Sequence, residues 1–119
     1  MKANKEGIWG EHFAARYMRD HGYKLLAGNF SSRFGEIDII GRKGGYICFV
    51  EVKTRSENAI SEPKEAVDRE KQQNIIATAE QFRKVVPYTE QVRFDVCEVY
   101  INDKIQPVKI NYIENAFNG

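Results

Sequence analysis

Cysteine and histidine are scarce in this chain. Two of each occur among 119 residues, at Cys48, Cys97, His12 and His21. That is too few for a zinc-ligand cluster, and neither histidine has a catalytic partner in the sequence. Both cysteines fall inside predicted strands, where a reducing compartment keeps them as small core side chains. An excess of one charge sign is missing too. Eighteen basic residues face seventeen acidic ones, for a net charge of +1. Bulk charge therefore does not announce a nucleic-acid binder, and no basic tail is present. Signal peptide, lipidation motif and membrane span are all lacking, so a cytoplasmic protein is expected. No repeat, low-complexity tract or linker divides the chain. With 42% hydrophobic and 29% charged residues it reads as one globular domain over residues 1–119.

What is present centres on residues 34–55, FGEIDIIGRKGGYICFVEVKTR. A turn cluster at Gly41–Gly45 separates two runs rich in Ile, Val and aromatics, which predicts a β-hairpin. Alternate residues of a strand share a face, so Glu36, Asp38 and Ile40 are grouped on the first strand. Ile47, Phe49, Glu51 and Lys53 are grouped on the second. A loop over Arg42–Gly45 would pair Gly41 with Tyr46, Asp38 with Phe49 and Glu36 with Glu51. Asp38 and Glu51 would then be diagonal neighbours, and a one-residue slip would part them.

Two carboxylates at such range repel unless a cation neutralises both. Paired carboxylates suit Mg²⁺, a hard ion that takes oxygen ligands and keeps waters for a phosphate substrate. Lys53 adds a cation that can hold a phosphate oxygen or orient a metal-bound water. This is the equipment of metal-dependent phosphodiester hydrolysis. The plainer alternative is a solvated face on which Lys53 pairs with Glu51 and Asp38. A second E-x-K, Glu62-Pro63-Lys64, lies in a predicted loop, so the strand context carries the signal rather than the tripeptide. Residues 31–55 also hold Arg33, Arg42, Lys43, Lys53 and Arg55 against three acids. That local excess suits a phosphate backbone, with Arg33 in a polar Ser31–Gly35 loop placed to touch it.

Around the hairpin, residues 5–21 predict a helix stopped by Gly22. Its apolar arc comprises Ile8, Phe13, Ala14, Tyr17 and Met18, and Glu11 sits within that inward arc. A carboxylate there needs a partner, either at the edge of the core or in the hairpin site. Tyr23–Phe30 predicts a strand with a bulge or turn at Gly28-Asn29. After a loop at Ser56–Pro63, a second helix begins within 63–68, with Asp68 as cap, and runs to about Val86 before Pro87. Val92–Ile101 predicts a strand, Asn102-Asp103 a two-residue turn, and Lys104–Ile110 a return strand that Pro107 places at an edge. Asp95 is expected to be structural, pairing with Arg93 or a neighbouring base. Ile113, Ala116 and Phe117 suggest a short closing turn. The order α-β-β-β-α-β-β describes an α/β (α+β) fold with a sheet sandwiched by helices.

Asp38, followed at a distance by Glu51-Val52-Lys53, resembles the PD-(D/E)xK site of the restriction-endonuclease-like superfamily. More closely, Gly10-Glu11, GNF at 28–30, GEIDII at 35–40, FVEVKTR at 49–55, EAVDREK at 65–71 and VRFDV at 92–96 resemble the YraN family. These are small bacterial proteins regarded as nucleases related to archaeal Holliday-junction resolvases. The superfamily's proline before the metal-binding aspartate is replaced here by Ile37. The resemblance implies a restriction-endonuclease-like core with a mixed central sheet flanked by helices. It implies Mg²⁺ or Mn²⁺ held by Asp38, Glu51 and the Val52 carbonyl, with Glu11 as a third carboxylate and Lys53 beside the attacking water. Arg33, Arg55, Lys71 and Gln72 become candidate nucleic-acid contacts. The implied function is hydrolysis of DNA, including branched or recombination intermediates, by a two-fold homodimer matched to a symmetric junction. Two other classes stay open: a nucleic-acid-binding module with little catalysis of its own, and a protein-binding scaffold whose carboxylates are neutralised by Lys53 and arginines.

Overall fold

A computed structural model of the chain describes residues 4–59 and 67–118. The elements are α1 (Lys5–Asp20), β1 (Lys24–Ser32), β2 (Gly35–Lys43), β3 (Tyr46–Ser56), α2 (Arg69–Val85), β4 (Gln91–Ile101) and β5 (Pro107–Phe117). This is the expected order. The strands form one sheet, β1-β2-β3-β4-β5, in which only β3 and β4 run parallel. A parallel pair needs a crossover, and α2 lies within it. No helix among the described residues is long and apolar enough to cross a membrane.

Each helix starts where a side chain can cap it. Asn4 accepts from the Gly7 N–H at 2.6 Å and Asp68 from the Lys71 N–H at 2.8 Å. Gly22, with φ +86°, takes the left-handed position that ends α1. The helices cover opposite faces of the sheet. Ala14 and Met18 of α1 pack on Ile39, Cys48, Val50, Cys97 and Val99. Ile75, Ala79 and Phe82 of α2 pack on Ile37, Ile40, Phe49, Phe94 and Val96. Cys48 and Cys97 are fully buried, as expected of core thiols.

Several expectations are corrected. Ile8 leaves the apolar arc of α1 and is 57% exposed. The helix instead rests on β3 through Gly10, where a Cβ would lie 1.8 Å from Thr54 Oγ1. Its buried stripe is therefore Gly10, Ala14 and Met18. The polar loop at Ser31–Gly35 shrinks to a turn at Arg33-Phe34, because Ser31 and Ser32 pair with Glu36 and Gly35. The Asn102-Asp103 turn is a longer loop, in which Asn102 Oδ1 accepts from the N–H groups of Lys104 and Gln106. The return strand accordingly begins at Pro107. The closing turn at 113–117 is the far end of β5, where Phe117 stacks on Phe94 at 5.2 Å. The bulge in β1 falls between Leu25 and Ala27, although Asn29 does adopt φ +50°. The start of the second helix before Val67 and the Glu62-Pro63-Lys64 tripeptide lie outside the described residues.

Candidate active site

The β2–β3 hairpin turns through Gly44 and Gly45, at φ +58° and +82°. Two positive φ values favour a two-residue turn whose twist matches the strands. Lys43 therefore pairs with Tyr46 and Ile40 with Phe49, and the expected four-residue loop is not formed. The ladder ends at Ile39↔Val50, so Asp38 and Glu51 are the residues next to its last pair on their two strands.

There the ladder gives way to a side chain. The Val52 N–H donates to Asp38 Oδ2 at 2.8 Å, in place of a backbone carbonyl of β2. The strict alternation expected for Glu36, Asp38 and Ile40 also breaks. Ile37 and Ile40 both enter the cluster beneath α2, while Ile39 enters the one beneath α1. The cause lies in the neighbouring strand, where Asn29, between the pairs Gly28↔Ile39 and Phe30↔Ile37, takes its left-handed conformation opposite Asp38.

Asp38 and Glu51 are 2% and 3% exposed, a costly burial for carboxylates unless charge compensates it. Lys71, on the first turn of α2, forms an ion pair with Glu51 Oε2, and Lys53 Nζ stands 3.9 Å from the same oxygen. Glu51, Val52, Lys53, Arg55 and Lys71 line a groove of about 860 Å³. Glu11, Glu36 and Asp38 line a second hollow of about 380 Å³, beside Ile8 and His12 of α1. The close approach at Gly10 seats α1 so that Glu11 reaches this hollow. The Val52 peptide joins the two hollows, since its N–H holds Asp38 and its neighbour in the chain is Glu51.

The remaining candidates are placed differently. Arg55 Nε bonds Glu98 Oε2 at 3.2 Å, and Asn111 Nδ2 donates to the other oxygen at 2.9 Å. Gln72 Nε2 donates to the Val67 carbonyl at 2.8 Å and so serves the start of its own helix. Arg33 lies over the Phe34 ring at 4.8 Å and is exposed. Asp95 is structural, as expected. It takes a forked contact from Arg93, a 2.6 Å bond from the Tyr112 hydroxyl and a 2.9 Å bond from the Asn115 N–H. Burial, and then the hydrogen bond to Asp95, raise the Tyr112 hydroxyl pKa well above the ordinary tyrosine range. Burial also pushes the Cys48 thiol up to about 12, with Asp95 adding to the effect. Neither the Lys71–Glu51 pair nor the Tyr112–Asp95 bond had a local signal in the sequence, because their partners sit on separate elements.

Oxygen donors at Asp38, Glu51 and the Val52 carbonyl fit a hard divalent cation, and the ammonium group on Glu51 marks this carboxylate as one that takes a cation. Among the described residues, no three His, Cys, Asp or Glu side chains form a metal-holding group. Magnesium commonly uses one or two carboxylates plus substrate phosphate and water, so the donor types of Asp38 and Glu51 are of the kind it takes.

Residues 10–99 match the model of the Uncharacterised protein family UPF0102. A UPF0102 protein of Syntrophomonas wolfei is 42% identical, over 96% of this chain and 99% of its own length. One from Caldanaerobacter subterraneus is 44% identical over 98% of each chain. A third, from Acetivibrio thermocellus, is 43% identical over 98% of this chain and 95% of its own length. The match takes in Glu11, Asp38, the Glu51-Val52-Lys53 run and Lys71, and the chain belongs to the UPF0102 family, the YraN family of the sequence resemblance.

Proposed function

We propose that this protein is a divalent-metal-dependent nuclease that hydrolyses phosphodiester bonds in DNA, branched or recombination intermediates among them. The observation that carries the reading is the placement of two buried carboxylates, Asp38 and Glu51, on adjacent strands beside the Val52 peptide, whose N–H holds Asp38, with two lysines on Glu51. Asp38, Glu51 and the Val52 carbonyl would hold Mg²⁺ or Mn²⁺, with Glu11 reaching the site from α1. The bound ion supplies Lewis acidity to the scissile phosphate and to the departing oxygen. Lys53 orients the attacking water and offsets the negative charge growing on the phosphate. The exposed Arg33 is available to a phosphate flanking the scissile one, and Arg55 borders the groove while held by Glu98. A two-fold dimer would present paired sites to a symmetric junction, and sedimentation at several concentrations measures it.

The test is a cleavage assay on junction, flap, single-stranded and duplex DNA with Mg²⁺, Mn²⁺ or EDTA. Metal-dependent cutting by the wild type is expected, lost in Asp38→Ala and Lys53→Ala. Equal cutting by Asp38→Ala in a contaminant-free preparation would sink the mechanism. A second reading, a nucleic-acid-binding module of nuclease-like fold, draws on the ion pair and close approach that Lys71 and Lys53 already make to Glu51. Salt-dependent DNA binding with neither metal binding nor cutting would favour it.

A further inference from the structure

Lys53 and Lys71 both approach Glu51 Oε2, but they are held differently. Lys53 extends from β3 itself, two residues along from Glu51, and its side chain is 27% exposed. Lys71 crosses from α2, and its side chain is 43% exposed. It borders both the large groove and a third hollow lined by Glu36, Asp68 and Glu70. The Asp68 cap fixes its backbone while the four-carbon stem stays free to pivot. Together the two ammonium groups bring Glu51 the same charge as one divalent ion.

We propose that Lys71 is a displaceable counter-ion. It neutralises Glu51 when no metal is bound, and it moves to a phosphate of the nucleic acid once a divalent cation takes the carboxylate. The inference rests on the nuclease reading and deepens it, because it makes metal and nucleic acid bind cooperatively through one side chain. The physical basis is repulsion. A divalent ion and an ammonium group cannot share a carboxylate oxygen without a large Coulomb cost in a poorly solvated site. The displaced ammonium group finds its natural new partner in a phosphate at the groove mouth. Linkage then requires that the nucleic acid strengthen metal binding by the same factor that the metal strengthens nucleic-acid binding.

The experiment is a calorimetric titration of Mn²⁺ into the full chain, for wild type, Lys71→Met, Lys71→Arg and Asp38→Asn. Methionine keeps the stem and the helix propensity, and circular dichroism verifies the fold. Removing the competing ammonium group should tighten Mn²⁺ binding roughly fivefold in Lys71→Met, the scale of a half-exposed ion pair. Lys71→Arg should bind like wild type, and Asp38→Asn should bind weakly. In parallel, Ca²⁺ should strengthen binding of a labelled DNA single strand to wild type but not to Lys71→Met. That second measurement has no counterpart in a purely structural role for Lys71. Equal Mn²⁺ affinity in wild type and Lys71→Met, with Asp38→Asn still weakened, overturns the counter-ion role and leaves the metal site standing. Absence of Mn²⁺ binding in every protein overturns both.

Discussion

Two buried acids in this molecule are handled in opposite ways. Asp95 is 0% exposed and is saturated from within the fold, by Arg93, Tyr112 and the Asn115 backbone. Its donors come from β4 itself and from β5, and the hydroxyl of Tyr23 accepts from the same guanidinium. The cluster fastens the edge strand to the sheet. Glu51 is nearly as buried, yet the ammonium groups that reach it come from side chains lining a groove. One acid is closed off by rigid, forked and backbone donors. The other faces partners that an incoming cation can replace. A buried acid points to function when its compensating charge can be exchanged, and burial alone does not distinguish the two.

Substitution should separate them. Asp95→Ala strands a largely buried guanidinium and two further donors, so a loss of about 3–5 kcal/mol in chemical denaturation is expected. Glu51→Gln should change stability by less than about 1 kcal/mol, because its ammonium partners can turn to solvent, while abolishing metal-dependent cleavage. Comparable losses for both would erase the contrast. Gly10→Ala probes the seating of α1. Its new Cβ meets Thr54 Oγ1 at 1.8 Å, and the overpacking should cost about 1–3 kcal/mol by thermal melting. Combining it with Thr54→Ala should restore part of that loss. A further effect is pH-dependent. Burial raises Cys48 and Cys97 from an ordinary 9.0 to about 12, so the unfolded chain sheds these protons first as pH rises. Their contribution to stability is therefore fully present below pH 9.0 and declines between there and about 12. Urea midpoints across that range measure it, and native thiols should resist alkylation at neutral pH.

Much of this was legible in the chain because it is local. Periodicity and punctuation locate both helices, and Asp68 and Gly22 mark their ends. The alternation around Glu51 and Lys53 places them on one face of β3. What escaped depends on geometry between elements. The turn register hinged on whether Gly44-Gly45 or a longer stretch closed the hairpin, and only the backbone φ values decide that. Ile8 satisfied the apolar arc by spacing, but a glycine that lets α1 touch β3 turned the helix away from it. The break of alternation at Asp38 comes from the next strand, where Asn29 bends, and no window on β2 contains that information. Lys71 was marked by the family block, while its partner lies on another element.

The parallel pairing of β3 with β4 divides the site's contacts into local and distant ones. Asp38 and the Val52 N–H are 14 residues apart, within one hairpin that closes locally. Arg55 and Glu98 meet across 43 residues, only after the crossover through α2 is complete. Local loops close faster than distant ones. The contact that holds Asp38 therefore asks only for the β2–β3 hairpin, whereas the one that holds Arg55 asks for the whole crossover through α2.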